Sequence, residues 1–307
     1  MLHFGQGFRK EFKKHWQLFL LATPGVILLF FFAYLPMFGI VIAFKSYNYM
    51  QGLLGSPWCG FDNFKFLFAS NTAWQITKLT LGYNFLFILL GLVLPVMLAL
   101  AFNEIRRPLA SKIYQTISIM PNFLSWVIMS YIGLALLNNN GFINSVLHML
   151  GKESVYFYSD PNYWPAILIL VSQWKGIGYS SVVYLACICG ISTEYYEAAI
   201  LDGASKWQQI WYITLPSLKP MMVITTIMAL GHIFNSDFGL FYQMPLNLGQ
   251  LYPATETIDV YVYNALQSMG NVNMSAAASV FQSAVGFVTI LLANAAIRKI
   301  DNENALF

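Results

Sequence analysis

Residues 16–44 read WQLFLLATPGVILLFFFAYLPMFGIVIAF, an uninterrupted run without one charged side chain. Crossing the hydrocarbon core of a bilayer takes about 20 mostly apolar residues in a helix, and this run exceeds that. Arg9, Lys10, Lys13 and Lys14 precede it, as a basic region precedes the apolar part of a secretory signal. A cleavable apolar region is only about 7–15 residues long, so this stretch is expected to remain as a first transmembrane helix.

Working outward from it, five more stretches have the length and apolarity to span: near 79–103, 113–137, 164–190, 217–236 and 274–297, with the first placed at 17–44. The fourth carries a single charge, Lys175, and the fifth is short and led by Pro216 and Pro220. Unpaired backbone groups are costly in lipid, so helices are the natural solution, and the alternating short strands of an outer-membrane barrel are not visible. The expected fold is all-α, a polytopic membrane protein of six transmembrane helices. It divides into a cytoplasmic segment at 1–16, a membrane domain at 17–300 and a cytoplasmic tail at 301–307.

Composition points the same way. Apolar residues make up 58% and charged residues 9% of the chain, against about 45–50% and about 25% in soluble domains. With 16 Lys and Arg and 13 Asp and Glu, a water-facing surface could scarcely be built, and the partner of most of this surface is membrane lipid. The small positive balance is gathered at the ends of apolar runs rather than along one face, which excludes a nucleic-acid footprint. Cys59 stands in a polar loop and Cys187 and Cys189 in an apolar run, with no metal-ligand spacing and no paired framework. No metal site and no disulfide is expected.

Lys and Arg accumulate in short cytoplasmic loops. With the N-terminus inside, that side holds the four N-terminal basic residues, Arg106, Arg107, Lys112, Lys206, Lys219, Arg298 and Lys299, and the outside holds Lys45, Lys65, Lys78 and Lys152. The stretch 236–275, which has acids but neither Lys nor Arg, then falls outside. Both termini are expected in the cytoplasm. Trp16, Trp58, Trp164, Trp207 and Trp211 lie near expected span ends, where aromatic belts form.

Between the fourth and fifth spans, 192–203 reads STEYYEAAILDG. Ser192 or Thr193 can cap a helix, Glu194 and Glu197 sit in or near its first turn, where the dipole favours anions, and Gly203 can take the left-handed conformation that ends it. A second amphipathic segment, 204–213, is expected to end at Leu215-Pro216, since proline does not continue a helix interior. Two short helices angled at a glycine make a compact knob suited to a groove on another protein. The string Glu197-Ala198-Ala199, three residues, Gly203, nine residues, Ile213, one residue, Leu215-Pro216 resembles the EAA loop of permease subunits of binding-protein-dependent ABC importers. Asp202, beside the glycine, belongs to the same candidate ATPase-coupling surface, and the loop as a whole is placed at 192–216.

The resemblance extends to the MalF-like and LplB-like oligosaccharide permease branch. It rests on Pro36-Met37-Phe38-Gly39 through Ala43-Phe44-Lys45, on Gly60-Phe61-Asp62-Asn63-Phe64 and on Trp174-Lys175-Gly176-Ile177-Gly178. It implies a six-span MetI-like fold in a bacterial cytoplasmic membrane, a second homologous permease, a cytoplasmic ATPase dimer, an extracytoplasmic solute-binding protein and an oligosaccharide substrate. Gly151-Lys152 is followed by Glu153, and no glycine-rich strand-to-helix loop occurs, so the chain has no P-loop. It is expected to bind no cofactor of its own, with ATP and Mg held by the partner ATPase.

Fewer residues speak for the substrate path. Lys175 lies about 16 Å into its span, and a charge at that depth is a functional hypothesis by default. It either contacts substrate, or caps carbonyls or pairs with an acid of the partner permease. Gln173, Trp174 and Tyr179 offer a stacking face and hydrogen bonds suited to sugar rings, or ordinary packing. Asn235 and Asp237 either line the same cavity or mark the water boundary. His148 and His232 have no acid or nucleophile at useful spacing, and no catalytic site is expected. The small residues Ala276 to Ala278, Ala284 and Gly286 are read as close helix packing. The alternative function, a secondary transporter or channel without ATPase, would call for paired broken helices in inverted repeats with intramembrane acids, and these are not seen.

Overall fold

The computed structural model describes residues 14–69 and 71–300. Most of the segment expected at 1–16, and the tail expected at 301–307, lie outside the described residues. Among those described the only extended pairing is an isolated bridge between Lys45 and Trp58; everything else regular is helical.

The first run is helical along its whole length. Helix α1 (Trp16–Leu29) passes through a π turn at Phe30–Tyr34 into a 3-10 segment at Phe38–Phe44. Not one residue of α1 is buried, and the run packs on the rest of the chain chiefly through its C-terminal part, Phe38–Phe44. There Asn63 Nδ2 donates to the carbonyls of Ala43 and Lys45, 2.9 Å each. The Phe44 ring packs against Phe61 and Phe64, and Lys45 Nζ donates to the carbonyls of Leu53 and Leu54 at 2.8 and 3.1 Å. The 60–64 stretch is thus a clasp for the end of the first span, supplying donors to carbonyls a helix terminus leaves unpaired.

Helix α2 (Asn71–Asn103) is 33 residues long and packs along α6 (Trp164–Cys189) as the central pair of the bundle. Between them in sequence, the third span is not the single helix expected over 113–137. Helix α3 (Pro108–Ile119) runs into a 3-10 turn at Met120–Phe123, and α4 (Trp126–Leu137) leaves it, followed by α5 (Phe142–Met149). The chain bends there by 98°. Pro121 has no N–H to give the helical ladder, and Ser125 caps a new helix by accepting from Ile128 N at 3.3 Å.

After α6 come α7 (Thr193–Leu201), α8 (Lys206–Gln209) and α9 (Leu215–Gly231), then α10 (Phe238–Gln243), α11 (Ile258–Met269) and α12 (Val272–Ile300). The expected stop at Leu215-Pro216 does not occur. A π turn at Ile210–Thr214 joins α8 to α9, so the fifth span is one helix over Lys206–Gly231 instead of 217–236. Pro216 stands in the first turn after the π turn, where the shifted backbone register accommodates a missing donor. Among the described residues five helices can cross a membrane by length and composition, or six where the bent pair counts as one span.

Among the described residues three clusters form the core: Tyr83, Met129, Trp164, Leu168, Leu240 and Phe241 in one, Val96, Ala99, Tyr184, Leu185, Ile188 and Leu218 in the second, and Ile76, Ile258, Val262 and Ala278 in the third. Trp164, expected in an interfacial belt, is fully buried and donates to the Phe157 carbonyl at 2.7 Å. Small residues set the closest helix approaches, as expected for the last span: Ala277 and Ala278 are buried, and Gly286 lies against the Gly231 carbonyl with no room for a Cβ.

Candidate functional site

The expected knob forms. Ser192 Oγ caps α7 by accepting from Glu194 N, and the helix closes where Gly203, at φ +79°, donates to the Ile200 carbonyl and Ala204 N to that of Ala199 at 2.8 Å. This left-handed closure satisfies the carbonyls left open by the last turn. Ser205 and Gln208 then make a reciprocal capping box that starts α8. Glu197, Ala198, Asp202 and Gly203 are exposed and Ala199 partly so. Around them Tyr195, Ile200, Leu201 and Trp207 are exposed too, Leu201 at 89%. Ile213 and Leu215 face partly inward, and Pro216 is exposed. An apolar, acid-edged prominence of this kind has the composition of a binding surface.

The knob is tied to the spans behind it. Tyr196 OH and Thr214 Oγ1 are 2.9 Å apart, Gln209 Nε2 donates to the Ala204 carbonyl at 3.1 Å, and Lys206 pairs with Glu104 of the α2–α3 connection at 3.5 Å. Its two halves continue α6 and lead into α9, so motion of the knob is motion of those spans.

The same helices, with α2, border a largely apolar recess of about 360 Å³, in which Asn84, Ser180, Thr225, Thr226, His232 and Asn235 are set among Phe87, Ile88, Leu92 and Ala229. No acid or base of the Asp, Glu, Lys or Arg type lines it. Asn84 Nδ2 donates to the carbonyls of Ile233 and Asn235, 2.8 Å each, holding the chain where α9 has ended. Thr225 Oγ1 lies 2.9 Å from Tyr184 OH. Hydroxyls and amides set in an apolar wall suit a ligand that presents both an apolar face and hydroxyl groups.

Of the expected substrate-path residues, only Asn235 lines this recess. Trp174 and Tyr179 are both exposed, but five positions apart on α6 they point roughly 140° away from one another. They do not form one stacking face with partly exposed Gln173. Lys175 sits at the bend of the third span: its Nζ donates to the carbonyls of Asn122 at 2.7 Å, Leu124 at 2.8 Å and Pro121 at 3.5 Å. The Trp126 ring lies 5.2 Å from the same ammonium, and Trp126 Nε1 donates to Asp237 Oδ2 at 3.0 Å. Lys175 and Asp237 therefore belong to one cluster, joined by Trp126. Of the two histidines, His148 is 2.7 Å from Ser154 Oγ, and His232 lines the recess.

Asn84 and Trp126 escape a reading of the sequence. Asn84 is one amide within a long apolar run, and its role depends on a chain end about 150 residues later. For Trp126 the available signal was Pro121 followed by Ser125, a stop and a cap inside one apolar stretch.

The model of the family described as "Binding-protein-dependent transport system inner membrane component" matches residues 91–303. The polygalacturonan/rhamnogalacturonan transport system permease protein YteP of Bacillus subtilis is 37% identical over 287 residues, covering 93% of this chain and 89% of its own. The protein LplB of the same organism is 33% identical, with 93% and 90% covered. Among solved structures, a chain of a bacterial ABC transporter involved in the import of the acidic polysaccharide alginate superposes with a TM-score of 0.85 at 34% identity, covering 96% of this chain and 99% of that one. A chain of the bacterial alginate ABC transporter in complex with alginate pentasaccharide-bound periplasmic protein gives 0.85 at 33% identity.

Proposed function

Because this chain belongs to the family of inner-membrane components of binding-protein-dependent transport systems, as a multi-pass permease subunit, we propose that it forms one half of the path by which an ATP-driven importer passes oligosaccharides. The observation that carries the substrate class is the uncharged recess of Asn84, Ser180, Thr225, Thr226, His232 and Asn235. It offers donors and acceptors for sugar hydroxyls at the junction of the helices that bear the knob. Relatives named for polygalacturonan and rhamnogalacturonan, and structures of alginate import, support sugars of several residues.

The knob couples transport to ATP. Glu197, Ala198, Ala199, Asp202 and Gly203, with Ile213, Leu215 and Pro216 behind them, dock on a cytoplasmic ATPase of which two copies serve the complex. ATP and Mg bind there, and this chain holds no cofactor. ATPase closure pushes the knob, tilts α6 and α9, and turns the recess from the outside to the inside. Lys and Arg distribution supports both termini in the cytoplasm. A second, homologous permease completes the path, and α1, which buries no residue against its own chain, is suited to pack on it. An extracytoplasmic binding protein delivers the sugar at the outer face.

Of the four residues read on α6, Lys175 serves the path by keeping the third span bent, while Gln173, Trp174 and Tyr179 face different ways around the helix. The test is uptake of labelled trigalacturonate and maltotriose by cells carrying the complete system, with co-purification of the ATPase on this subunit. Asn235→Leu is expected to lower uptake about tenfold or more, as loss of a polar partner does for a bound hydroxyl, with the ATPase still bound. Retention of wild-type uptake of whichever sugar enters, or absence of an ATPase from the purified complex, would remove the reading.

A further inference from the structure

The outer helix α10 is tied to α6, which leads to the coupling loop, by a shared core of Leu240, Phe241, Trp164 and Leu168 and by the polar contacts of one side chain, Trp126. Trp126 is wedged against α10: its ring fills the space a Cβ at Gly239 would take, and its indole N–H is bonded to Asp237, whose other carboxylate oxygen caps α10 by accepting from Leu240 N at 3.3 Å. Beneath the ring is Lys175, and α10's own Leu240 and Phe241, with Met244 at its end, are fully buried, so this helix moves with its neighbours or not at all. Lys175 in turn stands on α6, which runs without interruption to Cys189 and reaches the cap of α7 at Ser192 across a short turn. An outer helix, a broken span and the helix that ends in the knob therefore meet at one indole.

We propose that Trp126 is a positioning residue for transport, the contact through which the outer helix α10 and the knob at 192–216 sense one another. This rests on the importer reading given above. Packed elements with two arrangements carry coupling between distant sites, and such coupling is reciprocal. Closure of the ATPases must therefore alter α10, just as a protein seated on α10 alters the ATPases. Loss of the indole N–H cuts the tie while leaving the ring, the lysine cap and the knob in place.

The experiment uses the complete complex in lipid nanodiscs, with Cys59, Cys187 and Cys189 replaced by serine and a reporter cysteine at Gln243→Cys. ATP with vanadate is the probe, and the readout is the rate of thiol labelling at position 243. Trapping is expected to change that rate about threefold or more with Trp126 and by less than about 1.5-fold with Trp126→Phe, while untrapped ATP hydrolysis stays within about twofold. An equal change in both proteins, or none with Trp126 present in a complex that does trap, overturns the proposal. A complex that neither hydrolyses nor traps ATP overturns the importer reading instead. If Trp126→Phe does not assemble, Asp237→Asn and Asp237→Ala decide. Asn has one acceptor oxygen, to be shared between the indole and the α10 cap, and is expected to keep part of the response, Ala to lose it, and identical behaviour of the two refutes the idea.

Discussion

Gly178 of α6 lies directly against the backbone carbonyl of Ser118 near the end of α3, so that any Cβ at position 178 would overlap that oxygen. The contact sits one helical turn from Lys175, whose ammonium caps the bend that begins two residues beyond Ser118. The third and fourth spans are thus joined backbone to backbone at the place where the third changes direction. Gly178→Ala is expected to force them apart, at about 1–3 kcal/mol or more for an overpacked site. The loss is read as a lower melting temperature of the purified complex, and an unchanged value would show that the helices separate at no cost.

Lys175→Met tests the neighbouring contact. Removing the ammonium leaves the carbonyls of Asn122 and Leu124 without their donor, at about 1–3 kcal/mol for each buried group left unpaired. Stability and uptake should fall together, and Lys175→Arg should recover part of both. Lower uptake at full thermal stability would instead mark Lys175 as a group that touches the sugar.

Gly203→Val places a β-branched residue at φ +79°, where the left-handed region costs about 1–2 kcal/mol for residues with a Cβ. No neighbouring atom lies within reach of that Cβ, so the effect is one of backbone conformation alone. The complex is expected to insert and assemble while sugar-dependent ATP hydrolysis drops. Normal coupling in this variant would disconnect the loop from the ATPase.

The side of the membrane is checked by thiol labelling. Cys59, partly exposed beside the outer clasp, should react with an impermeant reagent on intact cells, and a cysteine replacing Ser205 only after permeabilisation. Labelling of position 205 in sealed cells would invert the topology.

Glu256 supplies a pH test outside the spans. Burial holds its carboxyl above the usual carboxylate range, against the opposing pull of a hydrogen bond from Asn264. A carboxyl raised in the folded state adds stability below its unfolded pKa and loses it as pH rises through the folded value. Glu256→Gln is therefore expected to stabilise the outer segment at pH 8 and to make no difference near pH 4. The reverse order, measured by thermal unfolding, would contradict the burial.

The spans were legible because lipid demands long apolar helices, a constraint that composition alone records. The knob was legible because capping and left-handed closure are local, written in Ser192, Gly203 and the residues between. The bend was not. Its apolar flanks read as one span, and the cation that stabilises it comes from position 175, more than fifty residues away. Pro216 misled in the opposite sense, since a proline that stops an α-helix is accommodated after a π turn. Trp164 misled as well, because an interfacial tryptophan and a core tryptophan at a span end have the same sequence signature until its neighbours are placed around it.

The unbroken rod from Lys206 to Gly231 settles how a push at the knob is spent. At 1.5 Å per residue it is roughly 39 Å long, and at its far end Gly231 and Gly286 meet with no room for a Cβ. A rod pinned there swings as an oar does in its lock. A tilt of roughly 10° sweeps the Lys206 end through about 7 Å, while the Gly231 end barely shifts. The stroke is thus long at the knob and short beside the recess.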